Sequence, residues 1–144
     1  MKIQGKNYLV SVIIVNYNNA PFLDESIKSI LNQTYKNIEI IVVDDISTDD
    51  SIKKLNKYRN KVIIIKNTKK TVHGSYNQIN SYYNGYVRSK GKFLFFLDSD
   101  DFFKSNKINY IMDKFNKNNF DLIFDLPIIK YKKKIIKNKF KQKK

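Results

Sequence analysis

A chain of 144 residues has room for one domain with a single core. The lack of cysteine excludes a disulfide scaffold, a cysteine-based zinc site and a thiol nucleophile. Its 28 Lys and Arg against 13 Asp and Glu leave a formal net charge of +15, which points first to an anionic partner.

The elements follow in chain order. Val10–Val15 is an apolar, β-branched run ending in Asn16-Tyr17-Asn18-Asn19, which predicts a buried strand and a turn. Asn19 is the expected cap of a helix with Pro21 in its first turn and Leu23, Ile27, Ile30 and Leu31 at helical spacing, ending by Gln33. Ile38–Val43 is a second apolar strand, stopped by Asp44-Asp45. The cap-rich stretch Ser47–Ser51 opens a short helix that carries Ile52 and Leu55 inward. Val62–Ile65 is a third strand. Past a polar loop with His73, Ile79, Tyr82, Tyr83, Tyr86 and Val87 predict a helix in spite of Gly85. Phe93–Leu97 is a fourth strand running into Asp98-Ser99-Asp100-Asp101. Ile108, Ile111, Met112 and Phe115 mark a last helix, and Leu122–Phe124 a short fifth strand.

Strands apolar on both faces, alternating with helices, define an α/β domain with a mainly parallel sheet covered on both sides. No repeat or linker divides the chain, so residues 1–125 form one domain and 126–144 a Lys-rich tail. The tail holds nine lysines and no acid, which accounts for much of the charge. Only Arg59 and Arg88 are arginines, which argues against a sequence-reading nucleic-acid site. Lys, Asn and Ile make up 65 residues, the bias that AT-rich codons produce. The longest apolar runs fall far short of the roughly 20 residues that a membrane-spanning helix needs. Residues 1–8 lack the apolar core of a secretory signal, so the expected compartment is the cytoplasm.

Ligands of open parallel sheets bind beyond the carboxyl ends of the strands. There the sequence delivers Tyr17 and five carboxylates: Asp44, Asp45, Asp98, Asp100 and Asp101. Carboxylates gathered this way repel one another unless a cation balances them, and Mg²⁺ or Mn²⁺ bound with substrate phosphates is the natural complement. The four glycines, Gly5, Gly74, Gly85 and Gly91, form neither a G-x-G-x-x-G turn nor a P-loop, which excludes those two nucleotide cradles. His73 and the tyrosines 82–86 read as loop and packing residues.

Four blocks together resemble the family 2 glycosyltransferases, which have the GT-A fold. They are residues 10–18 (VSVIIVNYN), 29–35 (SILNQTY), 39–51 (EIIVVDDISTDDS) and 91–101 (GKFLFFLDSDD). The resemblance implies inverting transfer of a sugar from a nucleotide-diphosphate donor, usually UDP-linked, to an acceptor hydroxyl of a cell-envelope or lipid-linked glycan. It further implies that Val15 and Tyr17 flank the nucleobase and that Asp45 accepts a hydrogen bond from it. Asp98 would lie near the ribose and the metal, and Asp100 would hold Mn²⁺ or Mg²⁺ against the diphosphate.

Three departures from the family pattern carry expectations of their own. Ile46 stands where the family often has Gly, and β-branched residues resist positive φ, so the loop is expected to take another path. Tyr82 and Tyr83 stand where an Arg-Asn pair is common, with Arg88 the nearest cation in the same helix. Only 43 residues follow Asp101, so the fold is read as truncated after the D-x-D motif. Asp121 and Asp125 match no base motif, and no catalytic base is assigned. A split or inactive donor-binding fragment is the alternative reading. The tail lysines also suit an anionic membrane surface, which would make the protein peripheral at the inner face.

Overall fold

The computed structural model describes residues 7–70, 73–117, 122–123, 129–131 and 134–136. Its main element is a four-stranded, all-parallel sheet of order β3-β2-β1-β4. The strands are β1 (Val10–Asn16), β2 (Ile38–Asp44), β3 (Ile63–Lys66) and β4 (Phe93–Asp98). The helices between and after them are α1 (Ala20–Leu31), α2 (Ser51–Asn56), α3 (Gly74–Arg88) and α4 (Lys107–Lys117). Every residue of the central β1 is buried, the polar Ser11 and Asn16 included.

Side-chain alternation along the strands divides the core in two. Val10, Val12, Ile14, Ile40 and Val42 face α1, α2 and α4, where Leu23, Ile27, Leu55, Ile108 and Ile111 meet them. Ile13, Ile41 and Val43 face the other way, packed with Ile65 of β3 and with Tyr82 of α3. Gly85, a poor helix residue, has a reason to be there. A Cβ at this position would lie 2.4 Å from Ile13 Cγ2, so glycine lets α3 approach the sheet closely.

Several expectations are corrected. Asn19 begins α1 but makes no side-chain cap. Its amide donates instead to Ser99 Oγ (3.0 Å), and Asp49 Oδ2 accepts the free N–H of Ala20 (3.0 Å). Asp49 also takes the Ser51 N–H (3.0 Å), so one carboxylate serves the starts of both α1 and α2. Leu122 and Ile123 form no strand. Leu122 is exposed and Ile123 packs against the first core, while Phe124 lies outside the described residues. The segment read as a tail contains a small antiparallel pair, β5 (Ile129–Tyr131) with β6 (Lys134–Ile136).

Ile46 gives the plainest correction. It does adopt positive φ (60°), as does Asn18 (51°). Side-chain bonds hold the turn in that shape: Ser47 N–H donates to Asp44 Oδ2 (3.0 Å), and the Asn16 amide reaches both Asp44 Oδ1 (2.8 Å) and Ser47 Oγ (3.1 Å). An L residue in this region costs about 1–2 kcal/mol. Ile46→Gly is therefore expected to stabilise the fold by about 1 kcal/mol after the extra chain entropy of glycine is deducted. Urea unfolding should show a higher midpoint with an unchanged slope.

Candidate functional site

The strand order reverses beside β1: the chain leaves it toward β2 and returns on its other side as β4. Beyond the carboxyl ends of these strands lies a cleft of about 320 Å³. It is lined by all of the sequence-derived candidates, Val15, Tyr17, Asp45, Asp98 and Asp100, and by Asn19, Gly74, Gln78 and Ser99. Register explains the gathering. Val15 pairs with Val43 on one side and Asp98 on the other, so three strand ends finish level.

The five strand-end carboxylates do not all share the cleft. Asp44 and Asp45 are neighbours on a strand end and point opposite ways. Asp44 turns inward, 2 % exposed, to hold the Asn16–Ser47 turn. Asp45 faces the cleft, its Oδ1 accepting a hydrogen bond from Asn67 Nδ2 (2.9 Å). Asn67 is fixed in turn by Ser81 Oγ (2.8 Å) and by the Asn84 amide (2.8 Å), which ties Asp45 to α3.

Asp98 Oδ1 accepts from Tyr82 Oη (2.6 Å) and Gln78 Nε2 (3.0 Å), residues one helical turn apart on α3. Tyr82 also packs edge-on against Phe96 at 5.2 Å. Burial pushes its hydroxyl far above the ordinary tyrosine range, helped by the hydrogen bond to Asp98 and the charges of Asp98, Asp101 and Asp100. The residue at the place of the expected Arg-Asn pair is thus a neutral donor to the D-x-D aspartate. Arg88 ends α3, ten residues beyond Gln78 and so about 15 Å along the axis from the cleft. Among the described residues, Lys70 brings a cation to the site: it donates to Tyr17 Oη (3.1 Å) and lies 4.3 Å from the ring centroid. Tyr17 is otherwise half exposed.

The D-x-D loop is held from behind by the second sequence block. Ser29 Oγ accepts the Phe103 N–H (3.0 Å). Buried Gln33 donates to Lys104 O (2.7 Å) and accepts from Ile108 N–H (3.0 Å), joining α1 to the loop and to the start of α4. His73 begins α3 beside Tyr76, with ring centroids 5.8 Å apart.

Among the described residues no three His, Asp or Glu side chains are gathered to hold a metal unaided. The donor chemistry nevertheless fits a hard divalent ion. Asp98 and Asp100 both line the cleft, and the Asp101 carboxyl beside them is raised above its ordinary value, chiefly by burial and further by their negative charges. One or two carboxylates plus ligand phosphates suffice for Mg²⁺ or Mn²⁺. Asp121 and Asp125 lie outside the described residues.

Asn67, Lys70 and Gln78 carried no sequence signal, because each acts on a residue distant in the chain: Asn67 meets Asp45 through the pairing of β3 with β2, Lys70 meets Tyr17 beyond β1, and Gln78 of α3 meets Asp98 at the end of β4. The one available hint was the four-residue spacing of Gln78 and Tyr82.

A parallel α/β domain with aromatic and acidic side chains in a cleft at its switch point has the layout in which open α/β sheets take their ligands. The profile of glycosyl transferase family 2 matches residues 11–142, and the chain belongs to that family. It is 42 % identical over 103 residues to the Escherichia coli UDP-Glc:alpha-D-GlcNAc-diphosphoundecaprenol beta-1,3-glucosyltransferase WfaP, covering 70 % of this chain and 39 % of that protein. It is 37 % identical over 113 residues to the Campylobacter jejuni GalNAc(5)-diNAcBac-PP-undecaprenol beta-1,3-glucosyltransferase, covering 75 % and 35 %. The crystal structure of S. aureus TarS 1-349 in complex with UDP-GlcNAc superposes with a TM-score of 0.62 at 26 % identity, over 77 % of this chain and 32 % of that one. The chain thus spans less than half the length of these relatives.

Proposed function

We propose that this chain is the donor-binding part of an inverting glycosyltransferase. It takes a UDP-linked sugar with Mn²⁺ or Mg²⁺ and serves transfer to the hydroxyl of a lipid-linked or cell-envelope glycan. The observation that carries the reading is the convergence of Val15, Tyr17, Asp45, Asp98 and Asp100 on one cleft. Tyr17 offers a ring face for the uracil, and Val15 an apolar edge beside it. Asp45, pinned by Asn67, accepts the N–H of the base. Asp98, held by Tyr82 and Gln78, reaches the ribose and the metal, while Asp100 is the more exposed metal ligand. When bound, the ion supplies charge compensation for the departing nucleoside diphosphate. Lys70 adds a positive charge at the base-binding side.

The relatives act, by their names, on undecaprenol-linked acceptors, which supports a lipid-linked acceptor. With no base assigned, donor binding is the activity this chain is expected to show alone. Calorimetry with UDP tests it: binding is expected with Mn²⁺ and is expected to be weak without it. No heat under either condition would overturn the reading, and binding that survives the loss of metal but falls steeply with salt would mark a generic polyanion site.

A further inference from the structure

We infer that the α3 face of the domain is a docking surface for an anionic phospholipid bilayer. Gly85 and Tyr82 turn inward to the sheet. On the outer side Tyr76, Ile79, Tyr83 and Tyr86 recur every three or four residues and form one stripe, 53–64 % exposed. The sheet extends this surface on both flanks. Ile63 pairs with Ile41 and Phe96 with Ile13, so both edge-strand residues lie on the face that α3 covers only at its centre. They are 43 % and 52 % exposed. Single exposed apolar residues are ordinary, but a stripe continued by both sheet edges marks an interaction surface.

Charge selects the occupant. Between Asp50 and Asp98 the chain holds eleven Lys and Arg and no acid, and α3 itself contains no Asp or Glu. Exposed Lys66, Lys69 and Lys70 lie before the helix, and Arg88 and Lys90 at its end. A tyrosine-rich apolar face framed by cations at both ends complements a bilayer interface with anionic headgroups. A second copy would instead oppose two acid-free cationic blocks, which repel. Gly74 and Gln78, at the start of α3, also line the cleft, so docking brings the rim of the cleft to the lipid surface. Only the consequence for an acceptor rests on the proposed donor function; the docking does not.

The chain has no tryptophan, so a single introduced indole reports on its own position. Tyr83→Trp places it on the stripe and Tyr110→Trp on exposed α4, which packs on the opposite side of the sheet. With vesicles of phosphatidylcholine and phosphatidylglycerol carrying brominated chains, the protein is expected to co-sediment. The indole of Tyr83→Trp should shift to the blue and be quenched several-fold more than that of Tyr110→Trp. Tyr83→Ser with Tyr86→Ser should lower the partition coefficient roughly tenfold. Replacing the lysines of residues 130–144 by Gln should leave the quenching contrast intact. Equal quenching at the two positions, loss of all binding on replacing the tail lysines, or a vesicle-free dimer that shields the indole of Tyr83→Trp would each overturn the proposal. UDP calorimetry on Tyr83→Trp is expected to match the parent chain, which keeps a failure of docking distinct from a failure of the donor reading.

Discussion

Asp100→Ala is expected to weaken UDP binding in the presence of Mn²⁺ roughly 100-fold, about 2.8 kcal/mol, and to leave the weak metal-free binding unchanged. The asymmetry follows from how the two D-x-D carboxylates are held. Asp98 already accepts two hydrogen bonds on one oxygen, so part of its charge is committed to the protein. Asp100 is exposed at the cleft and is the freer ligand for a cation. Removing it leaves a metal with one partly engaged carboxylate, too little to hold a divalent ion against a mobile diphosphate. The same substitution should not harm the fold. Burial and then the charges of Asp100 and Asp98 raise the Asp101 carboxyl above its ordinary value. A carboxyl raised in the folded state is stabilising when protonated and destabilising once pH exceeds its unfolded value, near 4. Taking away Asp100 lowers that penalty, so above this pH the variant should be as stable as the parent or slightly more so. A variant that lost affinity equally with and without Mn²⁺, or that unfolded, would refute the metal assignment.

How much of this was legible in the sequence depended on the range of the interactions concerned. β1 and β2 announce themselves because central strands of a parallel sheet are mostly apolar on both faces and end close to where Asn16 and Asp44 begin the polar loops. The positions of Tyr17, Asp45, Asp98 and Asp100 follow from the same boundaries, since strand ends are where parallel sheets bind ligands. Partner choice was not legible. Asn19 has the chemistry of a cap, yet Asp49 outcompetes it from another loop and frees the Asn19 amide for Ser99. Tyr82 read as packing because its hydrogen-bond partner, Asp98, joins it only once α3 crosses the sheet. Ile46 was expected to avoid positive φ on its own preference, but the bonds around Asp44, Asn16 and Ser47 override that preference. Local rules located the strand ends, and tertiary bonds decided what each side chain does there.

Gly91→Ala is expected to be the most damaging single methyl addition in the described fold, costing about 3 kcal/mol or more. The new Cβ would lie 2.4 Å from Ser11 Oγ, 2.5 Å from Ser11 N and 2.9 Å from Val10 C. Two of these are backbone atoms of the fully buried central strand and cannot swing aside. The Gly91 N–H also donates to Ser11 Oγ (2.8 Å) and Glu39 Oε1 (3.0 Å), so relieving the clash breaks part-buried bonds as well. Gly85 offers the informative contrast, because its hypothetical Cβ meets only side chains, nearest Ile13 Cγ2, and these can repack. It follows that Ser11→Ala should not rescue Gly91→Ala, since Ser11 N and Val10 C remain in place. Thermal unfolding should show a loss of roughly 10 °C in both the single and the double variant. The damage should reach the site. Gly91 stands just before β4, whose pairing with β1 runs from Val10 with Phe93 to Val15 with Asp98. A strand forced away from β1 at its start carries Asp98 off Tyr82 and Gln78 at its end. Any Gly91→Ala protein that still folds should therefore bind UDP and Mn²⁺ more weakly, although the substitution lies at the opposite end of the sheet.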